Sequence, residues 1–547
     1  MRRTLIRTVC SMALGIPVLA VLAACNDSEV LYPPGDGNGS GRYPSGTGIG
    51  LNESACPLQY TERVAGTLTG DDPLLGRQWH LNNSGQSGGT AGQDLRAFEA
   101  WQNTRGLGTR VAVIDDAIEV VHEDLVPNVL AGQSYNYRPS RLGSAFPLPC
   151  TQEDSHGTAV TGIIAARGNN ALGVSGVAPE ASLVGYNALA TGLDSDIADA
   201  LNRAPEANQI YHNSWGAPDD GALHAADPSF IAAIDAGLRQ GRGGKGSIFV
   251  FAAGNGGCYG NDSTGSCLRE NSNYDGFVNK LGVVTACAVD NVGARPFYGE
   301  IGANFLVCGP SSNNTTGITT TTISNTYRND FTGTSASTPM VSGVIALLLA
   351  NHPELTWRDV QQILVRSARQ NSPTDPGWST QFGLHFNPSF GFGAVDAQAA
   401  LSFAQTWTSI GGYDSLKSCG PYQKAPNLAI PDLNGNPVAV DDAITVVGCG
   451  IEKIEFVEIR VSATHAYSGD LDIKLVSPLG LVSELAGGRL CASSGSGDSC
   501  GSYDDWPFGS VRHLDEPSNG QWKLRVTDVQ RDDAGTLNRW TLTFYGR

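Results

Sequence analysis

Arg110-Val111-Ala112-Val113-Ile114-Asp115-Asp116 is the stretch that decides the fold. Its β-branched Val111, Val113 and Ile114 mark a buried strand, and the strand ends in two carboxylates. Ala181-Ser182-Leu183-Val184-Gly185-Tyr186 and Ser247-Ile248-Phe249-Val250-Phe251-Ala252 read the same way. Alanine-rich helical stretches lie between them, one over residues 157–166. Thr356 is placed to cap a further helix, on which Trp357, Val360, Ile363, Leu364 and Ser367 share one face. Strands alternating with helices predict an α/β domain with a parallel sheet.

From about Ile410 the period changes. Val457, Ile459 and Val461 alternate with Glu458 and Arg460, and Leu471, Ile473 and Leu475 with Asp472 and Lys474. Trp522, Leu524 and Val526, then Trp540, Leu542 and Phe544, repeat the pattern. Period two with Gly, Pro and Asn turns predicts an all-β sandwich or barrel.

The 547 residues are enough for two domains or more. A net charge of −18 excludes a nucleic-acid partner, because nothing here would neutralise a run of phosphates. Arg2, Arg3 and Arg7 precede an apolar run over 12–24, which is an export signal rather than a membrane span. Leu22-Ala23-Ala24-Cys25 resembles a bacterial lipobox, implying that residues 1–24 are removed and that Cys25 carries lipid, outside the cytoplasm and on a bacterial membrane. The Gly/Pro/Ser-rich chain over 25–71 reads as a tether, with ordered sequence from Asp72-Pro73. No later segment reads as a membrane span. Of the 12 cysteines, setting aside Cys10 and Cys25 leaves ten, an even count that in an exported chain means disulfides. Cys258 with Cys267 and Cys491 with Cys500 are near enough in sequence to pair locally.

Three segments carry the chemistry. Asp115 stands at a strand end, His156-Gly157-Thr158 opens a helix, and Gly333-Thr334-Ser335-Ala336-Ser337-Thr338-Pro339 sets a serine before an apolar run over 340–349. A serine hydroxyl needs a base to take its proton, and the base needs a carboxylate to fix its tautomer. A helix N-terminus favours negative charge developing at the serine's target. Each segment alone is common. The order Asp, His, Ser on an α/β pattern is that of subtilisin.

On these residues the stretch 72–405 resembles the catalytic domain of kexin- and furin-type proprotein convertases, a branch of the subtilisin family. The resemblance implies Asp115, His156 and Ser335 as a catalytic triad. Ala252-Ala253-Gly254-Asn255-Gly256-Gly257 matches the loop whose asparagine, here Asn255, donates to the oxyanion. Ser214-Trp215-Gly216 matches the edge that pairs with the substrate backbone. Asp219 and Asp275 fall on the acids that read a basic side chain before the cut, and Asp116 on the acid that reads the next one out. Carboxylates suit that task because they pair with ammonium or guanidinium. Glu153 or Asp154 assist in this reading, and Asp199 is a candidate further out, whereas Ala225 stands where an acid is expected.

The resemblance also implies Ca2+. Asp72, Asp124 and the Asn170 side chain, with the carbonyls of Arg167, Leu172 and Val174, match one site. Asp219, Glu270 and Glu300 match another beneath the pocket. Tyr135-Asn136-Tyr137-Arg138-Pro139 lacks the acids of a third, so none is expected there. Residues 410–547 resemble the P domain, a β-sandwich that accompanies and stabilises these enzymes, through Gly469-Asp470-Leu471, Val476-Ser477-Pro478, Gly520-Gln521-Trp522 and Gly535-Thr536-Leu537.

The expected function is therefore a calcium-dependent serine endopeptidase that acts on protein or peptide substrates after Arg or Lys. Between Cys25 and Asp72 no compact foldase propeptide fits, so folding is expected to use a separate chaperone or to proceed unaided. The competing readings are a catalytically silent surface binding protein on the same scaffold and a broad subtilisin with apolar preference.

Overall fold

The computed structural model describes residues 30–31, 51, 54–66, 68–257, 269–313, 315–489, 500 and 502–547. The β-branched stretches become the strands β1 (Arg110–Ile114), β2 (Ser182–Tyr186), β3 (Ile210–Asn213) and β4 (Ile248–Ala252), joined by β5 (Val283–Val289) and β6 (Phe305–Pro310). They form one 6-stranded sheet in the order β2-β1-β3-β4-β5-β6, parallel throughout. Val111, Ala112, Val113 and Ile114 are fully buried, as a strand covered on both faces requires. Asp115 lies at the carboxyl end of β1, where ligands of open parallel sheets bind.

Helix α1 (His156–Ala165) and α2 (Asp194–Leu201) follow, then α3 (Pro228–Gln240) and α4 (Thr334–Asn351). Helix α5 (Trp357–Ser367) begins at the expected cap: the Thr356 hydroxyl accepts from Asp359 N, and the Asp359 carboxylate accepts in return from Thr356 N. Helix α4 starts well before the apolar run that flagged it. Among the described residues it is the one helix long and apolar enough to cross a bilayer, which corrects the sequence expectation of no such segment. Most of it is buried, since it is the core helix packed against the sheet.

The C-terminal domain folds as two antiparallel sheets. One orders Lys417–Lys424, Gly535–Gly546, Ile454–Thr464 and Tyr503–Ser510; the other orders Ala439–Val446, Gly520–Asp528, Leu471–Val476 and Val482–Ala486. Val457, Ile459, Val461, Leu471, Ile473, Leu475, Trp522, Leu524, Val526, Trp540, Leu542 and Phe544 are all fully buried, so the period-two pattern marks the faces that meet.

Packed chain begins earlier than the tether reading places it. Cys56 is disulfide-bonded to Cys150, Leu58 N donates to Cys150 O at 3.3 Å, and Tyr60 is buried against the core. Cys287–Cys308 staples the adjacent strands β5 and β6, and Cys419–Cys449 lies in the C-terminal domain. Cys258, Cys267 and Cys491 fall outside the described residues, as do Cys25 and residues 1–24.

Candidate active site

Asp115 ends β1 and His156 opens α1, which brings the Asp115 Oδ1 to 2.8 Å from His156 Nδ1. The Asp115 side chain is 1% exposed. Burial pushes its carboxyl up, but the charge and hydrogen bond of His156 outweigh burial and hold it below its ordinary value. For His156 the signs reverse. Burial pulls the imidazole down, yet Asp115, with Asp116 behind it, keeps it above its ordinary value. Gly157 is required by close approach: a Cβ there would lie 2.3 Å from Ala117 O and 2.8 Å from Asp115 Cβ.

Asp116 has a structural task that its sequence position did not announce. Its Oδ2 accepts from His156 N at 3.1 Å, and its Oδ1 from Gly157 N at 2.8 Å and Ala117 N at 2.5 Å. It thus caps the first turn of α1, the turn that carries the imidazole. Burial and the Asp115 charge push its own carboxyl up to about 8.

Ser335 lies in the first turn of α4, and its Oγ donates to Ser214 O at 3.1 Å. Ser214 Oγ donates back to Ser335 O at 3.0 Å. That order places the proton of His212 on Nε2, 2.9 Å from Ser214 Oγ, and lets Nδ1 accept from Ser342 Oγ at 2.9 Å. Burial pulls His212 down to about 3, so it is the neutral link this chain needs. A relay from α4 through β3 back to the nucleophile's own carbonyl is what sequence reading missed; the only signal was His212 two residues before Ser214.

Asn255 follows β4. Its Oδ1 accepts from Thr334 N at 2.8 Å and Thr334 Oγ1 at 3.1 Å, which fixes the amide and leaves Nδ2 to donate elsewhere. Trp215 Nε1 donates to Ile114 O at 2.9 Å, so the segment Ser214, Trp215, Gly216 is pinned beside the end of β1.

The acids divide into two groups. Asp275 lies behind Gly216, its Oδ2 accepting from Ala217 N at 2.9 Å and its Oδ1 from Phe277 N at 2.7 Å; burial pushes it up to about 6. Asp219, Glu270 and Glu300 each offer an oxygen within 4.8 Å of the others. Asp219 Oδ1 accepts from Asn255 N at 3.2 Å and Glu300 Oε1 from Gly256 N at 3.0 Å. Burial raises all three carboxyls, Glu270 to about 8, and the charges of the cluster raise Glu270 and Glu300 further. Three carboxylates converging on one point, two of them buried and one partly so, suit a hard cation with oxygen ligands.

Asp72, Asp124 and Asn170 also come together. Asp72 accepts from Asn169 N and Asn170 N at 2.9 and 3.0 Å, and Asp124 from Val174 N and Asn170 Nδ2 at 2.8 Å each. Arg167 N donates to Asp124 O and Leu172 N to Asn170 Oδ1, so the loop whose carbonyls were expected as ligands wraps this pair of acids. Burial raises both, Asp72 to about 6. The Asn170 amide presents nitrogen to Asp124, so ligation through its oxygen needs that amide to turn.

The outer acids are engaged within the protein. Asp154 pairs with Arg138 at 2.7 Å and accepts from Cys150 N and Thr151 N. Asp199 pairs with Arg203 and accepts from Tyr137 Oη at 2.6 Å. Each is already paired with an arginine of its own chain.

Residues 106–393 match the subtilase family and residues 454–544 the proprotein convertase P-domain. The dibasic-processing endoprotease of Schizosaccharomyces pombe is 35% identical over 490 residues, 87% of this chain and 65% of its own length. Human proprotein convertase subtilisin/kexin type 7 is 34% identical over 87% of this chain and 60% of its own, and Saccharomyces cerevisiae kexin 31% identical over 91% and 58%. The chain thus spans about two thirds or less of these relatives' lengths. The serine protease of Aeromonas sobria superposes with a TM-score of 0.78 at 27% identity, over 92% of this chain and 99% of that one. The same protease in complex with its chaperone gives 0.77 at 26%, over 91% and 100%. The subtilisin-like parallel sheet, the β-rich C-terminal domain and these matches together establish that the chain belongs to the subtilase family, in its kexin-like form with a P domain.

Proposed function

We propose that this chain is a serine endopeptidase that hydrolyses peptide bonds after Arg or Lys through an acyl-enzyme on Ser335. The contact that carries the proposal is the 2.8 Å pairing of buried Asp115 with His156, with Ser335 in the first turn of α4. Asp115 holds the proton on His156 Nδ1, so Nε2 is free to take a proton from Ser335. The hydroxyl turns from the Ser214 carbonyl to Nε2 and attacks the scissile carbonyl. The Asn255 Nδ2 group donates to the oxyanion, where one such donor supplies about 10²–10³-fold in rate. His156 then returns its proton to the leaving amine, and water releases the acyl group by the same steps reversed.

Basic specificity rests on Asp219 and Asp275, two carboxylates raised by burial at the end of the segment Ser214, Trp215, Gly216. A guanidinium or ammonium entering there relieves both. The engagement of Asp199 and Asp154 with arginines favours a reading of one or two basic residues over a longer one. Ca2+ fits the cluster of Asp219, Glu270 and Glu300 and the pair Asp72 and Asp124, where it would neutralise buried carboxylates and brace the pocket loop. The lipobox-like Leu22-Ala23-Ala24-Cys25 supports a lipid anchor on a bacterial membrane, facing away from the cytoplasm. A chaperone accompanies the Aeromonas protease in its solved complex, and this supports a separate folding partner here.

The test uses fluorogenic peptides that differ only in Arg, Lys, Phe or Leu before the cut, with calcium and with chelator, beside Ser335→Ala. Calcium-dependent cleavage after Arg or Lys that the substitution abolishes is expected. Cleavage after Phe or Leu alone would keep the protease and overturn the pocket. Well-folded protein with no cleavage and no fluorophosphonate labelling of Ser335 would favour the silent binding protein.

A further inference from the structure

Arg489 belongs to the C-terminal domain, just after the strand Val482–Ala486, yet it is 6% exposed because it is pressed against the subtilase domain. Its Nε donates to Gly221 O at 2.6 Å. Its Nη1 donates to Tyr503 Oη at 2.9 Å and Ser468 O at 3.4 Å, and Nη2 to Ser468 Oγ at 3.2 Å. The guanidinium carbon lies 4.0 Å from the centre of the Tyr274 ring. Its own domain therefore holds it on one side while it grips the other domain at two points.

Those two points are the segments that carry the pocket acids. Gly221 is two residues after Asp219, and Tyr274 immediately precedes Asp275. Gly221 turns the chain at φ 80°, left-handed backbone that a side chain would strain. Its N–H donates to Glu270 and its carbonyl accepts from Arg489, so the turn is held from both domains. The Tyr274 hydroxyl is anchored in turn by Gly487 N at 2.9 Å. One fixed cation thus braces two loops that are otherwise joined by a single backbone bridge, His224 N to Tyr274 O at 3.0 Å and Gly276 N to His224 O at 2.8 Å.

We infer that Arg489 is a positioning residue for substrate selection: the P domain, through one buried guanidinium and together with the bridge at His224, fixes the distance between the two carboxylates that read the side chain before the cut. The inference rests on the reading of Asp219 and Asp275 as that pocket. Arginine suits the task because its planar fork serves several acceptors at once while its face lies on an aromatic ring, which a lysine ammonium does not reproduce.

The test compares the full-length, calcium-loaded protein with Arg489→Ala, Arg489→Lys and Arg358→Ala, each normalised by active-site titration so that unfolded enzyme does not count. Arg358 is the control, a buried arginine at the domain interface paired with Glu455 rather than with either pocket loop. The expected result for Arg489→Ala is a fall of about tenfold in kcat/KM for the Arg peptide, mostly through KM, with the Phe peptide unchanged. Arg489→Lys should recover only part of the preference, and it also serves if the alanine variant does not fold. Selectivity unchanged in both Arg489 variants, or lost equally in Arg358→Ala, would overturn the inference. A wild-type enzyme without preference for Arg over Phe would instead overturn the pocket reading on which it stands.

Discussion

Asp219 Oδ1 accepts a hydrogen bond from the backbone N–H of Asn255 at 3.2 Å, so an acid of the pocket and the residue that faces the oxyanion share one contact. Asp275 has no such link; its oxygens hold Ala217 and Phe277. Replacing the two acids should therefore give different kinetics. Asp275→Asn should raise KM for an Arg peptide with little change in kcat. Asp219→Asn should raise KM and also lower kcat, by about tenfold, because Asn255 loses a charged anchor. Steady-state kinetics on the Arg peptide check this, and equal kcat values for the two variants would break the proposed coupling.

The pH profile follows from the pair Asp115 and His156. His156 works as a base only when neutral, and Asp115 holds it above its ordinary 6.5. Activity should therefore be lost as pH falls through a value higher than that of a free imidazole, seen as the acid limb of kcat/KM. Asp115→Asn removes the charge that raises it, so the limb should move to lower pH. The rate should also fall by about 10⁴-fold, since the tautomer is no longer fixed.

Calcium removal should make stability depend on pH in a defined direction. Burial lifts Glu270 from 4.5 in the unfolded chain to about 8 in the fold, with Asp219 and Glu300 raised beside it. The folded state then holds more protons, so its stability is full below 4.5 and declines as pH rises through about 8. A bound cation replaces those protons. Thermal midpoints in chelator should fall across this range, and calcium should flatten most of the decline. Glu119 and Asp116, each raised to about 8 outside the proposed calcium sites, should leave a residual slope. A decline that calcium does not change would count against both sites.

Much of the site was legible because each part sits in a short local motif. Asp115 ends a strand that β-branched residues announce, His156 and Ser335 open helices, and Asn255 follows a strand between glycines. What sequence reading could not find depends on contacts between distant segments. Asp116 caps α1 from 40 positions away, and Arg489 reaches Gly221 across 268. No local pattern encodes either. The same reason hid the engagement of Asp199 and Asp154, which as bare acids looked available until Arg203 and Arg138 were seen beside them. Composition also misplaced the start of packed chain, because the Cys56–Cys150 disulfide draws in a segment that reads as tether.

The two domains are also joined at Arg358, whose side chain is 0% exposed. Its Nε and Nη2 meet both oxygens of Glu455 at 2.8 and 2.6 Å, and its Nη1 donates to the carbonyls of Ile410, Gly411 and Gly412 in the connecting segment. Arg547 also reaches Glu455, at 3.0 Å, and pairs with Asp515, which Arg366 of α5 holds from the other side. Truncation to Arg358→Ala leaves Glu455 buried with one of its two cations gone, a loss expected to cost about 3 kcal/mol. The damage should fall on the coupling between domains rather than on either core. Denaturant unfolding should then change from one transition to two, with the midpoint of the first lowered. Pairing Arg358→Met with Glu455→Leu removes the stranded charge as well, and Arg547 keeps Asp515 as a partner. The double variant should regain most of the stability, because a buried ion pair contributes little over an apolar pair of similar volume. A double variant no more stable than Arg358→Ala would mean that the three carbonyl contacts at 410–412, not the ion pair, hold the domains together.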